Sequence, residues 1–365
     1  METPQRSLTL PEPIPPLAQI ERLREGGRER ERFIGLDRNE RLAPLPDWII
    51  EAVREGIDSP LLTGYPTLED LYEDLVRTFG VPRTQLLLTA GSDAVFRALH
   101  HAYARPGDRI VMLTPSYAMY PIYARMFGAE AVEVPFADDL SLDADALLAT
   151  ISPSVRMVLL ANPNQPTGTK LSEAVLAAVL DRAEACDALV VVDEAYFPFS
   201  HATVLPWLAD RPALVVTRTF SKAWGLAGAR IGFVAAHPDV IANLFKVRSA
   251  YDVNAFAALS ARTLLAHPQI ASDYVAEVEA GRDLICRRVR ELGLEPLPGE
   301  TNFQLIRVGD TIEPAALVER LSERRYLVKG PFSAPCLRDC VRVTLGPPKL
   351  MAEFCDALRL VLDGG

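Results

Sequence analysis

The sequence predicts an α/β fold: a large domain on a mostly parallel sheet covered by helices, followed by a smaller α+β domain. Three observations predict it. Between about residues 46 and 254, short β-branched apolar runs alternate with helical patterns. Several of these runs end on a polar or acidic residue, as Leu189-Val190-Val191-Val192 does before Asp193. That is the pattern of a strand buried on both faces that delivers a side chain at its C-terminal edge. From about residue 255 the alternation gives way to a long helical pattern and then to isolated strands and helices.

In order along the chain, residues 1–45 read as an N-terminal segment that joins the small domain. It holds a proline-rich lead, a short charged helix ending at Arg32, and the stretch Leu36-Asp37-Arg38-Asn39-Glu40-Arg41. The large domain, 46–254, is expected to carry helices at 68–79, 94–102 and 173–186. Its expected strands are 85–89, 109–113, 155–160, 189–192 and 213–217, each an apolar run bounded by turn residues. In the small domain, 255–365, a helical pattern over 255–289 is interrupted by Pro268. Strands follow at 302–308 and 340–344, with helices at 314–324 and 349–362.

Composition narrows the function classes. At 365 residues, with 49% hydrophobic and 24% charged side chains, the chain suffices for a large core. No apolar run approaches the length of a bilayer span, and the first ten residues lack the apolar stretch of a secretory signal. The expectation is a cytoplasmic protein without a membrane partner. The five cysteines are scattered and no histidine completes a zinc spacing, so reduced thiols and no metal are expected. A formal charge of −10 argues against nucleic acid as a partner. The richest basic run, residues 22–32, is interleaved with glutamates, as in a solvated face.

Chemistry concentrates in the run Arg218-Thr219-Phe220-Ser221-Lys222-Ala223-Trp224-Gly225-Leu226-Ala227-Gly228-Ala229-Arg230. An amine that must bond a carbonyl near neutral pH has to lose its proton, and neighbouring cations and burial promote that loss. Thr219, Ser221 and Arg230 supply hydroxyl donors and a guanidinium fork suited to a phosphate. A lysine beside such a cradle suggests pyridoxal phosphate. Three further segments fall at strand ends: Asp193-Glu194-Ala195-Tyr196, the loop from Asn162 through Gln165 to Gly168, and Gly91-Ser92-Asp93 opening a helix. Open α/β sheets bind ligands at that edge, and a helix start favours an anion. Each segment alone also reads as an ordinary cap, turn or solvated loop. Their joint placement in one α/β pattern points to a site.

These residues, together with Tyr65-Pro66, the stretch from Pro115 to Tyr120, Asn302-Phe303 and Val341-Arg342-Val343, resemble the fold-type I pyridoxal-phosphate enzymes. The class I/II aminotransferases are the nearest group, in particular their histidinol-phosphate aminotransferase branch. The resemblance covers nearly all of the chain from Leu36 onward. It implies a seven-stranded sheet, pyridoxal 5'-phosphate as cofactor and a homodimer with composite sites. It also implies roles. Lys222 is similar to the lysine that bonds the cofactor and moves the proton, and Asp193 to the carboxylate at the ring nitrogen. Tyr196 resembles the tyrosine that reaches the ring's phenolic oxygen, and Tyr117 the aromatic stacked on the ring. Gly91, Ser92, Asp93, Thr219, Ser221 and Arg230 match the phosphate cup, with Asn162 and Gln165 in the adjoining loop. Arg342 resembles the clamp on the substrate carboxylate. Tyr65 looks like the tyrosine lent to the neighbouring subunit, and Asn39 is expected to face the substrate.

The chain departs from that branch at three points. Gln165 stands where asparagine is usual, one methylene longer. Lys329 stands where an arginine usually reads the substrate phosphate, offering a point charge in place of a fork. The proline-rich lead lacks the branch's tyrosine. The resemblance therefore implies a ping-pong aminotransferase acting on a small keto substrate, phosphorylated or not. A phospho-amino-acid decarboxylase is the alternative, because the same residues serve both reactions.

Overall fold

The computed structural model describes residues 12–18, 20, 28–309 and 311–364. Residues 1–11 and 21–27 lie outside the described residues, so the expected charged helix is seen only at its end, a 3-10 turn over Arg28–Arg32. Among the described residues the strands are, in chain order, β1 (Ile34–Leu36), β2 (Leu86–Thr89), β3 (Arg109–Thr114) and β4 (Glu130–Pro135). Then come β5 (Val155–Ala161), β6 (Leu189–Asp193), β7 (Leu214–Thr219) and β8 (Gly232–Ala236). The last four are β9 (Glu295–Pro296), β10 (Phe303–Arg307), β11 (Tyr326–Val328) and β12 (Cys340–Thr344).

Seven strands form the main sheet, in the order β2-β8-β7-β6-β5-β3-β4. The neighbours from β7 through β4 pair in parallel, and β8 runs antiparallel to both β7 and β2. The central strands are largely apolar because both faces are covered. Val158, Leu160, Val190, Val192 and Val216 point into one core, and Met157, Leu159, Val191 and Val215 into the other. Helices Glu69–Phe79, Glu173–Glu184 and Ala255–Leu265 contribute to the first core. Helices Ser92–Tyr103, Met119–Met126 and Pro238–Val247 cover the second. Register sets Ala161 beside Asp193 and Asp193 beside Thr217, so the C-terminal ends of β5, β6 and β7 share one edge.

Beyond this sheet, β12, β10 and β9 make an antiparallel sheet and β1 pairs with β11 in parallel. Helices Gln269–Glu291 and Pro348–Leu362 pack together over this part of the chain. At Gly281 a Cβ would collide with the carbonyl oxygen of Gly346, so the long helix meets the turn before the last helix only through glycine.

The expected elements are found with ends shifted by one or two residues, and Pro268 does separate Ala255–Leu265 from Gln269–Glu291. Helix Ala255–Leu265, expected with the small domain, packs on Asp47–Glu55 and Glu69–Phe79. Strands β4 and β8 were not anticipated. In β8, Gly232, Ala235 and Ala236 carry little β preference, and pairing on both sides supplies what propensity lacks.

Candidate active site

Asp193 closes β6 with its carboxylate buried. Its Oδ1 accepts from Thr217 Oγ1 at 3.0 Å and from the Ala195 N–H at 3.1 Å, and its Oδ2 from Tyr120 Oη at 3.0 Å. Burial pushes the carboxyl up to about 6, against the pull of those three donors. Thr217 and Tyr120 were not read as site residues. Thr217 is the register partner of Asp193 on β7, a pairing that exists only once the strands align. Tyr120 lies in what reads from sequence as an aromatic core cluster, and it is indeed fully buried.

The loop after β7 brings Lys222 to the same place, where its Nζ donates to the Arg38 carbonyl at 3.1 Å. Burial, together with the positive charges of Arg342 and Arg230, lowers the amine to about 8, while Glu40 and Asp193 pull the other way. A large share of the amine is thus neutral and nucleophilic just above neutral pH.

Beside it lies a cradle for an anion. Gly91 has φ 80° and precedes Ser92 at the start of helix Ser92–Tyr103. A Cβ on Gly91 would sit 2.7 Å from Arg230 Nη2, so a larger residue would push that guanidinium aside as well as strain the backbone. The Thr219 and Ser221 hydroxyls are 2.9 Å apart, and Arg230 Nη1 reaches Ser221 Oγ at 3.4 Å. A helix start, two hydroxyls and a guanidinium converge, as a phosphate requires. The Asp93 carboxylate is engaged by Tyr117 Oη at 3.1 Å and Tyr123 Oη at 2.8 Å. This fixes the Tyr117 ring at the wall of the pocket.

Across the pocket, Tyr196 donates to Gln165 Oε1 at 3.1 Å and accepts from Asn39 Nδ2 at 2.8 Å. Arg342, on β12, is buried; its Nη2 donates to the Asp37 carbonyl at 2.7 Å and its Nε has no partner. Lys329 exchanges both backbone hydrogen bonds with Arg342, at 2.9 and 2.8 Å, so the two side chains leave the same side of the ladder. The Lys329 side chain is exposed.

Ser92, Asp93, Tyr117, Gln165, Asp193 and Tyr196 line one pocket with Thr219, Ser221, Lys222 and Arg230. The other expected residues, Gly91, Asn39, Tyr65, Asn162, Lys329 and Arg342, are not part of that lining. Asn162 holds its own loop: its Oδ1 accepts from the Leu171 N–H at 2.9 Å and its backbone N–H donates to the Asp193 carbonyl at 2.9 Å. Tyr65 is 77% exposed and stacked on Tyr251 with ring centroids 4.1 Å apart. Asn39 is buried and engaged with Tyr196, Thr344 and Asn302. Among the described residues no cluster of His, Cys, Asp and Glu is arranged to hold a metal ion. No helix among them is long and apolar enough to cross a membrane. The donor set fits a phosphorylated pyridine aldehyde, with a lowered amine, a phosphate cradle, a buried carboxylate and an aromatic wall in one cavity.

Comparison with known proteins agrees with this geometry. The family model for aminotransferase class I and II matches residues 31–358. Histidinol-phosphate aminotransferase 1 of Ralstonia nicotianae is 38% identical over 91% of this chain and 90% of its own length. The histidinol-phosphate aminotransferase of Roseiflexus castenholzii is 33% identical over 96% and 95%. The structure of the Sinorhizobium meliloti histidinol-phosphate aminotransferase, solved in complex with pyridoxal-5'-phosphate, superposes with a TM-score of 0.86 at 27% identity, covering 98% of this chain and 99% of that one. A match over most of the length, with ordered motifs meeting in one pocket, leaves no ambiguity about kinship: the chain belongs to the class I and II aminotransferases.

Proposed function

We propose that this protein is a pyridoxal-phosphate-dependent aminotransferase that exchanges an amino group between an amino acid and a small phosphorylated keto compound, as the names of its relatives suggest. The observation that carries the reading is the meeting of Lys222, Asp193 and the Ser92–Thr219–Ser221–Arg230 cradle in one pocket. When bound, the cofactor supplies an aldehyde for the amino group and a ring that accepts the electrons released at the substrate Cα. Asp193, held by Tyr120 and Thr217, would offer its negative charge to the ring nitrogen. Lys222 Nζ would take the proton from the substrate Cα and deliver it to the carbon that carried the cofactor's aldehyde, a task suited to an amine at about 8. Arg342 presents its remaining guanidinium N–H groups to the substrate carboxylate. Arg342 would thereby fix the substrate's orientation and so which bond at Cα is broken.

Lys329 shares the ladder side of Arg342 and takes the substrate phosphate with a single charge. Tyr65 adds to the same end from a second subunit in a cytoplasmic homodimer. Its exposure beside Tyr251, with Trp48 and Leu62 also exposed, supports that assembly. The division into 46–254 and 1–45 with 255–365 belongs to the same reading, save that helix Ala255–Leu265 packs with the first of these.

The test is absorbance of the reconstituted protein before and after histidinol phosphate, unphosphorylated histidinol and a panel of amino acids, with mass spectrometry of the products. Loss of the visible band with release of a keto product, for the phosphorylated substrate above all, is expected. Carbon dioxide and an amine would move the assignment to decarboxylation. Equal use of both histidinols would remove the phosphate from the reading.

A further inference from the structure

The stretch that follows β1 is held by both cations of the site: Lys222 Nζ donates to the Arg38 carbonyl and Arg342 Nη2 to the Asp37 carbonyl. In the same stretch the Arg41 side chain gathers main-chain carbonyls from three separate segments. Its Nη1 donates to the Ala223 carbonyl at 2.9 Å and the Ile270 carbonyl at 3.2 Å, and its Nε to the Ala43 carbonyl at 3.1 Å. Ala223 directly follows Lys222. Ile270 lies in the first turn of Gln269–Glu291, just past the Pro268 break. The Arg41 guanidinium also lies 4.1 Å from the ring centroid of Tyr274, a fully buried residue. Tyr274 Oη in turn accepts from the Leu42 N–H at 3.0 Å and donates to the Leu345 carbonyl at 3.4 Å, one residue past the strand that carries Arg342. Gly225, with φ 76°, completes the contact: a Cβ there would sit 2.6 Å from Arg41 Cδ, so the Lys222 loop turns directly against the arginine stem. Neither Arg41 nor Tyr274 lines the pocket. One forked donor group thus ties the Lys222 loop to the start of the long helix and, through Tyr274, to the end of β12.

We infer that Arg41 is a positioning residue for the reaction, a clasp that sets the Lys222 amine against Arg342. Its catalytic part rests on the functional reading above. In that reading the amine must reach the substrate Cα while Arg342 holds the carboxylate, and the two side chains belong to segments far apart in sequence. A displacement of about 1 Å between such groups costs on the order of 100-fold in rate. Arg41 is where the two segments are joined without touching either reacting group. Its loss should therefore be felt at proton transfer more than in binding, because Arg342 keeps its own hold on the substrate.

The experiment compares wild type with Arg41→Met, Arg41→Lys, Tyr274→Phe and the pair Arg41→Met/Tyr274→Phe. Methionine keeps the apolar stem and removes every donor. In the cofactor-free protein, hydrogen–deuterium exchange read by mass spectrometry should speed up about tenfold in Arg41→Met for peptides spanning 220–230 and 266–273, but not for β5. In the protein loaded with pyridoxal phosphate, single turnover of the amino acid that reacts best should slow about 10- to 100-fold. The concentration giving half the maximal rate should change by less than about threefold. Arg41→Lys should recover part of both effects, since an ammonium reaches a carbonyl but cannot fork between two. The paired variant should lose less than the two single variants together, because both act on one network. Unchanged exchange in the two segments, or a loss carried entirely by the half-saturating concentration, would overturn the inference. Faster exchange that extends equally to β5 would do the same, reducing Arg41 to an ordinary stabilising contact. Absence of any visible band in the loaded wild type would instead overturn the cofactor reading, and the catalytic part of this inference with it, while the exchange data would still judge the clasp.

Discussion

Asp193 is the most expensive residue of the pocket. A carboxyl held at about 6 in the fold, against 3.8 for the free group, binds its proton more tightly in the native state. It therefore costs stability wherever the unfolded chain would ionise it. That cost grows as pH rises from about 4 to 6 and is constant above. Asp193→Asn should stabilise the cofactor-free protein at pH 7 by roughly 2–3 kcal/mol, with no gain below pH 4, while reducing turnover by orders of magnitude. Thermal melts at pH 4 and pH 7 check the sign. Tyr120→Phe is expected to act the other way on the same group. With Oδ2 stripped of its donor, the carboxyl should rise further, by about one pH unit. The acidic limb of the kcat/KM profile should move up with it. Lys222, Asp193, Ser92, Thr219, Ser221 and Arg230 were all legible as candidates because each sits in an ordered motif at a strand or turn end. Tyr120, Thr217 and Thr344 were not, because their partners lie across the sheet or at the far end of the chain. Nothing in their local sequence distinguishes them from core residues.

At the scale of elements, the ends of β6 and β7 are tied together by a buried ion pair. Arg218 donates to Glu194 Oε2 through Nη2 at 2.8 Å and Nε at 2.9 Å, and its guanidinium lies 3.7 Å from the Phe197 ring centroid. Glu194 also accepts from the Val204 N–H at 2.7 Å and Thr203 Oγ1 at 2.8 Å, which closes the loop after β6. Glu194→Gln removes one charge and leaves Arg218 buried without a counter-ion. The expected cost is about 3–5 kcal/mol, read by denaturant unfolding, and the double variant Glu194→Leu/Arg218→Met should recover much of it. Because Asp193 and Thr219 are the immediate neighbours of this pair, cofactor affinity should weaken in the single variant. The parallel strands were readable because burial on both faces leaves an unbroken apolar run with a polar end. β4, at the sheet edge, is broken by Glu130 and Glu133, and β8 is small-residue rich, so neither carries that signature.

For the whole molecule, the exposed apolar side chains gather on neighbouring elements. Trp48 lies on helix Asp47–Glu55, Leu62 on Ser59–Thr63 and Phe256 on Ala255–Leu265, with Tyr65 and Tyr251 stacked nearby in sequence. Helix Ala255–Leu265 touches both of the other two helices. A surface of this kind is expected to be covered by a second copy of the chain. Light scattering should therefore give twice the 40.1 kDa chain mass. Leu62→Glu combined with Trp48→Glu should halve it, and on the proposed role of Tyr65 it should also weaken use of phosphorylated substrates. Sequence alone suggested this assembly only by resemblance; exposure is a property of the folded surface and leaves no periodic mark.

The hydrogen bond between Asn39 and Thr344 joins residues 305 positions apart. A chain emerging from the ribosome carries Asn39 before, and Thr344 after, the segments that bear Asp193 and Lys222. The cradle and the amine can thus assemble on a nascent chain before the wall that meets the substrate exists. Synthesis itself then orders the two halves of the site: the segments of the cradle first, and the wall that meets the substrate only once Thr344 has been made.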